Sequence, residues 1–131
     1  MRLEISKEGV FTPEFNGNKN LAPTDQITVR YRTPTIAIKN RCRRKPQAKA
    51  LAAPDGKISG MEVVLEKDDV STLNEMLVSI SNCSYGDGGQ DHKIFSAQDL
   101  LGAPIEFEPL LKEIVEEFNS ILDHPGPDEK N

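Results

Sequence analysis

The chain has 131 residues, 37% of them apolar, and sets 21 acids against 16 Lys and Arg for a net charge of −5. That length is the ordinary size of one domain, and it lets a chain bury roughly two thirds of the surface its unfolded state exposes without any covalent staple. The two cysteines, Cys42 and Cys83, lie far apart and form no CxxC, which excludes the multi-disulfide framework of small extracellular domains.

Both thiols read as free and reduced, with one mutual disulfide as the alternative. No apolar run approaches the roughly 18 residues of a membrane span. The opening Met1-Arg2-Leu3-Glu4-Ile5-Ser6-Lys7-Glu8 has no signal-peptide core. The expected compartment is the cytoplasm, where the sequon Asn82-Cys83-Ser84 meets no glycosylation enzyme.

In chain order, Leu3 and Ile5 alternate with Arg2, Glu4 and Ser6 and predict a short half-buried strand. Residues 9–25, with Gly9, Pro13, Asn16-Gly17-Asn18, Asn20 and Pro23, predict a turn-rich loop. Residues 26–32 predict a strand, with Ile27, Val29 and Tyr31 on one face. Thr33-Pro34 then reads as the cap and first position of a short helix over 34–44. Ile36 and Ile38, two apart and β-branched, also suit a continued strand. A second loop covers 45–57, with Pro46, Pro54 and Asp55-Gly56. Residues 58–66 predict a strand with Met61, Val63 and Leu65 inward.

Asp68 or Asp69 caps a predicted helix from Val70 to Asn82, on the spacing of Val70, Leu73, Leu77 and Ile80. A glycine-rich loop follows over 84–92, and Ile94-Phe95 predicts a short strand. Ser96-Ala-Gln-Asp99 is a capping box with Asp in the acidic place, ahead of Leu100 and Leu101; Gly102 and Pro104 stop that turn. The last helix, 107–123, carries the stripe Leu111, Ile114, Val115, Phe118, Ile121 and Leu122, worth about 1.5–3 kcal/mol each if buried. Together these elements predict one α+β domain over residues 1–123, followed by a disordered tail at 124–131. The domain has a small antiparallel sheet of about three to four strands and two to four helices, with the C-terminal amphipathic helix packed on the sheet.

Charge is uneven. Between residues 26 and 57 stand Arg30, Arg32, Lys39, Arg41, Arg43, Arg44, Lys45, Lys49 and Lys57, opposed only by Asp55; between 99 and 131 acids dominate, opposed only by Lys112 and Lys130. Two solvated faces are the plainest explanation. A second is complementary association, within an assembly of copies or with a partner, which raises on-rates and selects partners. The candidate partner-binding patch is Lys39, Arg41, Arg43, Arg44 and Lys45. A third reading makes the segment 39–49 a nucleic-acid contact. Tyr31 is the one aromatic nearby for stacking, the net charge is acidic, and no nucleic-acid-binding signature is present.

Catalytic chemistry has little to work with. His124 falls in the predicted tail, and His92 follows Asp91 in the glycine-rich loop with no marked nucleophile. Two separate cysteines and two separate histidines do not make a zinc site. Asp87-Gly-Gly-Gln-Asp91 lacks the ligand series of a calcium loop, and Gly86, Gly88 and Gly89 form no phosphate-binding fingerprint. Glu113, Glu116 and Glu117 read as solvated carboxylates on a helix's polar side. The expectation is a non-enzyme with no catalytic, cofactor-binding or metal-ligating residues.

Three stretches carry a resemblance. They are Phe11-Thr-Pro-Glu-Phe-Asn-Gly-Asn-Lys-Asn-Leu21 followed by Ile27-Thr-Val-Arg-Tyr-Arg-Thr-Pro-Thr35, then Ile94-Phe-Ser-Ala-Gln-Asp-Leu-Leu101 before a proline, then Leu110-Leu-Lys-Glu-Ile-Val-Glu-Glu-Phe-Asn-Ser-Ile121 with a polar end. The set covers most of the chain and resembles small phage and prophage tail-module proteins of the tail assembly chaperone type. The resemblance implies a non-enzymatic factor that binds the tail-tube or tape-measure protein during assembly and is absent from the finished virion. It carries over no site residue. A homo-oligomer is a further partner class; a nucleic-acid-binding accessory role through segment 39–49 is the alternative function.

Overall fold

Val29 and Tyr31 point to one side of a strand whose other side is Arg30 and Arg32, and the chain folds around that division. A computed structural model describes residues 1–43, 47–52, 58–64 and 68–124. The elements are β1 (Glu8–Phe11), β2 (Thr28–Arg32), α1 (Ile36–Arg41), β3 (Gln47–Ala52), β4 (Ile58–Val64), α2 (Asp69–Met76), β5 (Leu77–Ser81), β6 (Ser84–Asp87), β7 (Gln90–Lys93), α3 (Ala97–Leu101) and α4 (Glu108–Asp123). The fold is α+β, as the sequence predicts. A three-stranded antiparallel sheet runs β1-β2-β5, and β3-β4 and β6-β7 form two separate antiparallel pairs.

α4 is laid down by its own stripe. Leu110, Ile114, Phe118 and Leu122 are almost wholly buried and Val115 nearly so, while Leu111 and Ile121 are half-buried at the margin. The Phe118 ring packs on Tyr31 of β2 at 5.6 Å between centroids, so this helix reaches the core side of the sheet, while its main neighbour is α2. Val29, Leu73, Met76, Ile80, Ile94 and Leu100 complete one apolar cluster shared by the sheet and by α2, α3 and α4. Gly9 pairs opposite Tyr31, and a Cβ there would stand 2.3 Å from the Tyr31 ring, so only glycine lets the ring lie flat across β1.

The predicted helix 70–82 is a correction: helix α2 ends at Met76 and the chain continues as β5. The cause is a β-bulge. Between Arg30 and Tyr31 the register slips, so that Val29 faces Ile80 while Tyr31 faces Leu77. One extra residue on β5 brings Leu77 and Ile80, three apart, to the same face. That spacing imitates a helical stripe, whereas Val70, its supposed first member, is 53% exposed.

Other boundaries move for local reasons. Residues 2–6, predicted as a strand, lie outside any element, and the first strand is β1, which overlaps the start of the predicted loop 9–25. The helix cap is Thr35, whose hydroxyl accepts from the Ile38 N–H at 3.1 Å. Thr33 instead closes the β1–β2 ladder: its N–H donates to the Lys7 carbonyl at 2.9 Å and its hydroxyl to that of Ser6. β3 lies in the predicted loop 45–57. Its sequence Gln-Ala-Lys-Ala-Leu-Ala has no β-branched residue, and pairing with the strand-prone Ile58–Val64 overrides that weak preference. The facing of Met61 and Val63, together with Leu65 and the tail beyond His124, lies outside what is described.

The glycine-rich loop 84–92 is also corrected, to a hairpin. Gly88 and Gly89 have φ of 58° and 88° and link β6 to β7, the two left-handed positions of a type I′ turn. Ile94 and Phe95 lie in no strand, but Ile94 N–H donates to Cys83 O and Phe95 O accepts from Ile80 N–H, both at 2.9 Å. The Ser96–Asp99 capping box forms as predicted, with Asp99 Oδ2 accepting from the N–H groups of Phe95 and Ser96 at 3.1 and 3.0 Å.

Two side chains fix the long connection between β1 and β2. Asn18, 2% exposed, donates through Nδ2 to Pro13 O (2.8 Å) and Ile27 O (3.0 Å) and accepts from Ile27 N–H at 2.6 Å. Glu113 of α4 is not simply solvated: its two oxygens accept from the N–H groups of Glu14 and Phe15 at 2.6 and 3.1 Å.

Candidate functional site

The basic segment and the acidic helix meet within one chain. Arg43 follows α1, and its guanidinium turns onto the last two turns of α4. Nη1 donates to Asn119 Oδ1 and to Cys42 O, each at 3.2 Å, and Nη2 lies 2.6 Å from Asp123 Oδ1. The Arg43 side chain is 9% exposed. Arg41 pairs with Glu75 of α2 at 2.9 Å, and that hydrogen bond holds the Glu75 carboxyl below its ordinary range. Lys39 is half-buried on α1. Arg44 and Lys45 fall outside the described residues. Of the five patch residues, then, two have their charge engaged by carboxylates of this chain, and Arg43 is a strut between helices.

Asn119 extends that strut. It is buried, accepts from Arg43 and donates through Nδ2 to Asp69 Oδ1 at 3.4 Å. The start of α2 and the C-terminal half of α4 are thereby tied side by side, leaving a groove along their seam. Its capping residue, Asp68, accepts from Ser71 N–H at 3.1 Å and fixes where α2 begins.

The groove has a volume of about 710 Å³ and is lined by Asp69, Val70, Leu101, Glu108, Leu111, Lys112, Val115, Glu116 and Asn119. Its apolar residues are Val70 and Leu101, 53% and 41% exposed, the half-buried Leu111 and the buried Val115. Three carboxylates, Asp69, Glu108 and Glu116, rim it against one base, Lys112, which stands 3.8 Å from Glu108. An open apolar trough with an acidic rim matches the chemistry of an amphipathic segment flanked by positive charge. The sequence offered one signal for it: α4 carries more apolar positions than one narrow stripe needs, and the surplus at Leu111 marks the groove.

A second, polar hollow of about 380 Å³ is lined by Tyr85, Asp91, His92, Lys93, Gln98, Asp99 and Gly102. His92 stacks on Tyr85, its cross-strand neighbour, at 4.9 Å between ring centroids, and the carboxylate of Asp99 is occupied by its capping bonds. Tyr85 in turn abuts Phe107, which abuts Phe15. His92 thus belongs to an aromatic row, with no serine, threonine or cysteine lining the hollow. Cys42 and Cys83 are free and buried, and burial pushes both thiols above their ordinary range. Among the described residues no group of three or more His, Cys, Asp or Glu could hold a metal ion, and no helix is long and apolar enough to cross a membrane.

No family model matches the chain, and no curated protein or solved structure matches it.

Proposed function

We propose that the protein is a non-enzymatic, cytoplasmic binding protein whose groove between α2, α3 and α4 receives a basic amphipathic helix of a protein partner. The observation that carries this reading is the pairing of exposed Val70 and Leu101 with the carboxylates of Asp69, Glu108 and Glu116 around one trough. Helices dock in such grooves through apolar anchors spaced three or four residues apart. Lysines or arginines flanking those anchors would meet the rim. The resemblance to tail assembly chaperone-type proteins names the partner class: a tail-tube or tape-measure protein, held during assembly.

The engagement of Arg41 and Arg43 by carboxylates favours a protein partner over nucleic acid at those two positions. The test is a tagged pull-down from the native host after prophage induction, with nuclease treatment, comparing the wild type with V70E/L101E. Both substituted positions are solvent-exposed, so the fold should survive, as circular dichroism will check. Recovery of a tail protein by the wild type and its loss in V70E/L101E supports the proposal. Equal recovery by both forms refutes the groove as the site. Recovery that disappears with nuclease returns the basic segment to the fore.

A further inference from the structure

Residues 1–6 carry a pattern that the single chain leaves unused. Met1, Leu3 and Ile5 alternate with Arg2, Glu4 and Ser6, the period of a strand with one apolar face. Yet β1 begins at Glu8, and the apolar side chains are open to solvent, Leu3 at 59% and Ile5 at 55%. The β1–β2 ladder extends only to Thr33, which reaches Lys7 and Ser6. Pro34 has no N–H to donate and α1 starts at Ile36, so β2 has no strand to lay beside residues 1–5. No backbone hydrogen bond joins residues 1–5 to any described residue.

We propose that residues 1–5 pair as an antiparallel strand with the same residues of a second copy of this chain. Charge selects both the occupant and the register. Centred on Leu3, the pairing sets Arg2 against Glu4 of the second copy, twice over, on one face. On the other face it sets Leu3 against Leu3 and Ile5 against Met1. A slip of one residue puts Leu3 opposite Glu4 and an acid on the apolar face. A slip of two sets Arg2 against Arg2, or Glu4 against Glu4, and like charges directly opposite are destabilising. A parallel pair in register makes both like-charge contacts together. The side chains already stand on one side as this requires: Arg2 Nε is 3.0 Å from Glu4 Oε1 within the single chain, and both are more than 80% exposed.

A two-stranded ribbon is marginal by itself, so the dimer is weak and depends on concentration. Sedimentation velocity over a roughly hundredfold concentration range, a span of about 2.7 kcal/mol, reads it. Wild type should shift from monomer to dimer. R2E and E4R should each stay monomeric, because each sets like charges opposite. An equimolar mixture of the two should dimerise, since an R2E chain brings two acids to the two bases of an E4R chain. The double variant R2E/E4R should dimerise alone. As a register check, L3C should cross-link to itself under mild oxidation and I5C, whose opposite residue is Met1, should not; the native cysteines are buried. A wild type that stays monomeric throughout, single variants that dimerise as wild type does, or a mixture that stays monomeric would each overturn the proposal.

Discussion

Replacing Arg43 with methionine keeps the aliphatic stem and removes the fork that joins α1 to α4. A fully buried ion pair broken on one side costs about 3–5 kcal/mol, and an exposed one about 0–1 kcal/mol. Arg43 is 9% exposed but Asp123 is 36% exposed, so the pair lies between those limits. Asn119 Oδ1, on a buried residue, also loses its donor, which adds about 1 kcal/mol. The expected sum for R43M is about 2–3 kcal/mol. Urea unfolding should show it as a lower midpoint at unchanged slope. Thermal unfolding should show a fall of roughly 6–12 °C for a chain of this length. A double-mutant cycle with D123A should return a coupling of about 1–2 kcal/mol. If R43M lies within about 0.5 kcal/mol of wild type, or the cycle is additive, the guanidinium is not a strut and the charge argument built on it fails.

Three further outcomes follow from the same structure. N18A removes three hydrogen bonds and strands the Pro13 and Ile27 backbone groups, and should cost about 2–4 kcal/mol; amide exchange should locate the loss in the 13–27 loop, and protection there equal to wild type would contradict it. G9A drives a methyl group into the Tyr31 ring wedged on Phe118 and should cost about 1–3 kcal/mol in denaturant unfolding, with G9S no better; a neutral G9A would mean the ring swings aside freely. The N–H groups of Phe95 and Ser96 hold the Asp99 carboxyl below its ordinary range. A depressed folded-state value means its contribution is present above the unfolded value, near pH 4, and fades as pH falls through the folded value. The stability gap between wild type and D99A should therefore close on acidification; a gap constant down to the lowest pH would rule out the capping carboxylate.

What could be read in the chain depended on whether the information was local. α4 and the Ser96–Asp99 box formed where predicted because each carries its own period or its own cap. β5 imitates a helix because its phase is set by a bulge opposite β2, so Leu77 and Ile80 take a helical spacing from a partner strand 46 residues away in sequence (77 − 31). β3 shows the same dependence, since Gln47–Ala52 has little strand preference until Ile58–Val64 pairs with it. The groove needed three helices to be brought together, and only the surplus apolar width of α4 hinted at it. Asn18 looked like one more turn residue in a run of asparagines and glycines; that it is the buried one follows from where Ile27 enters β2.

The order of strands in the sheet governs when the molecule can fold. β2 lies beside β5, with Thr28 opposite Ser81 across 53 residues (81 − 28), and Tyr31 waits for Phe118, 87 residues further on (118 − 31). Such distant partners mean high contact order, and closing long loops before their contacts are rewarded slows folding. On the ribosome, the first two strands therefore emerge long before anything can cover Val29 and Tyr31. A chain interrupted before α4 would carry a sheet with its apolar side bare, a target for proteolysis and aggregation. Folding of this protein thus waits on α4, and its yield should depend more on how swiftly synthesis reaches that helix than on the stability of any segment made earlier.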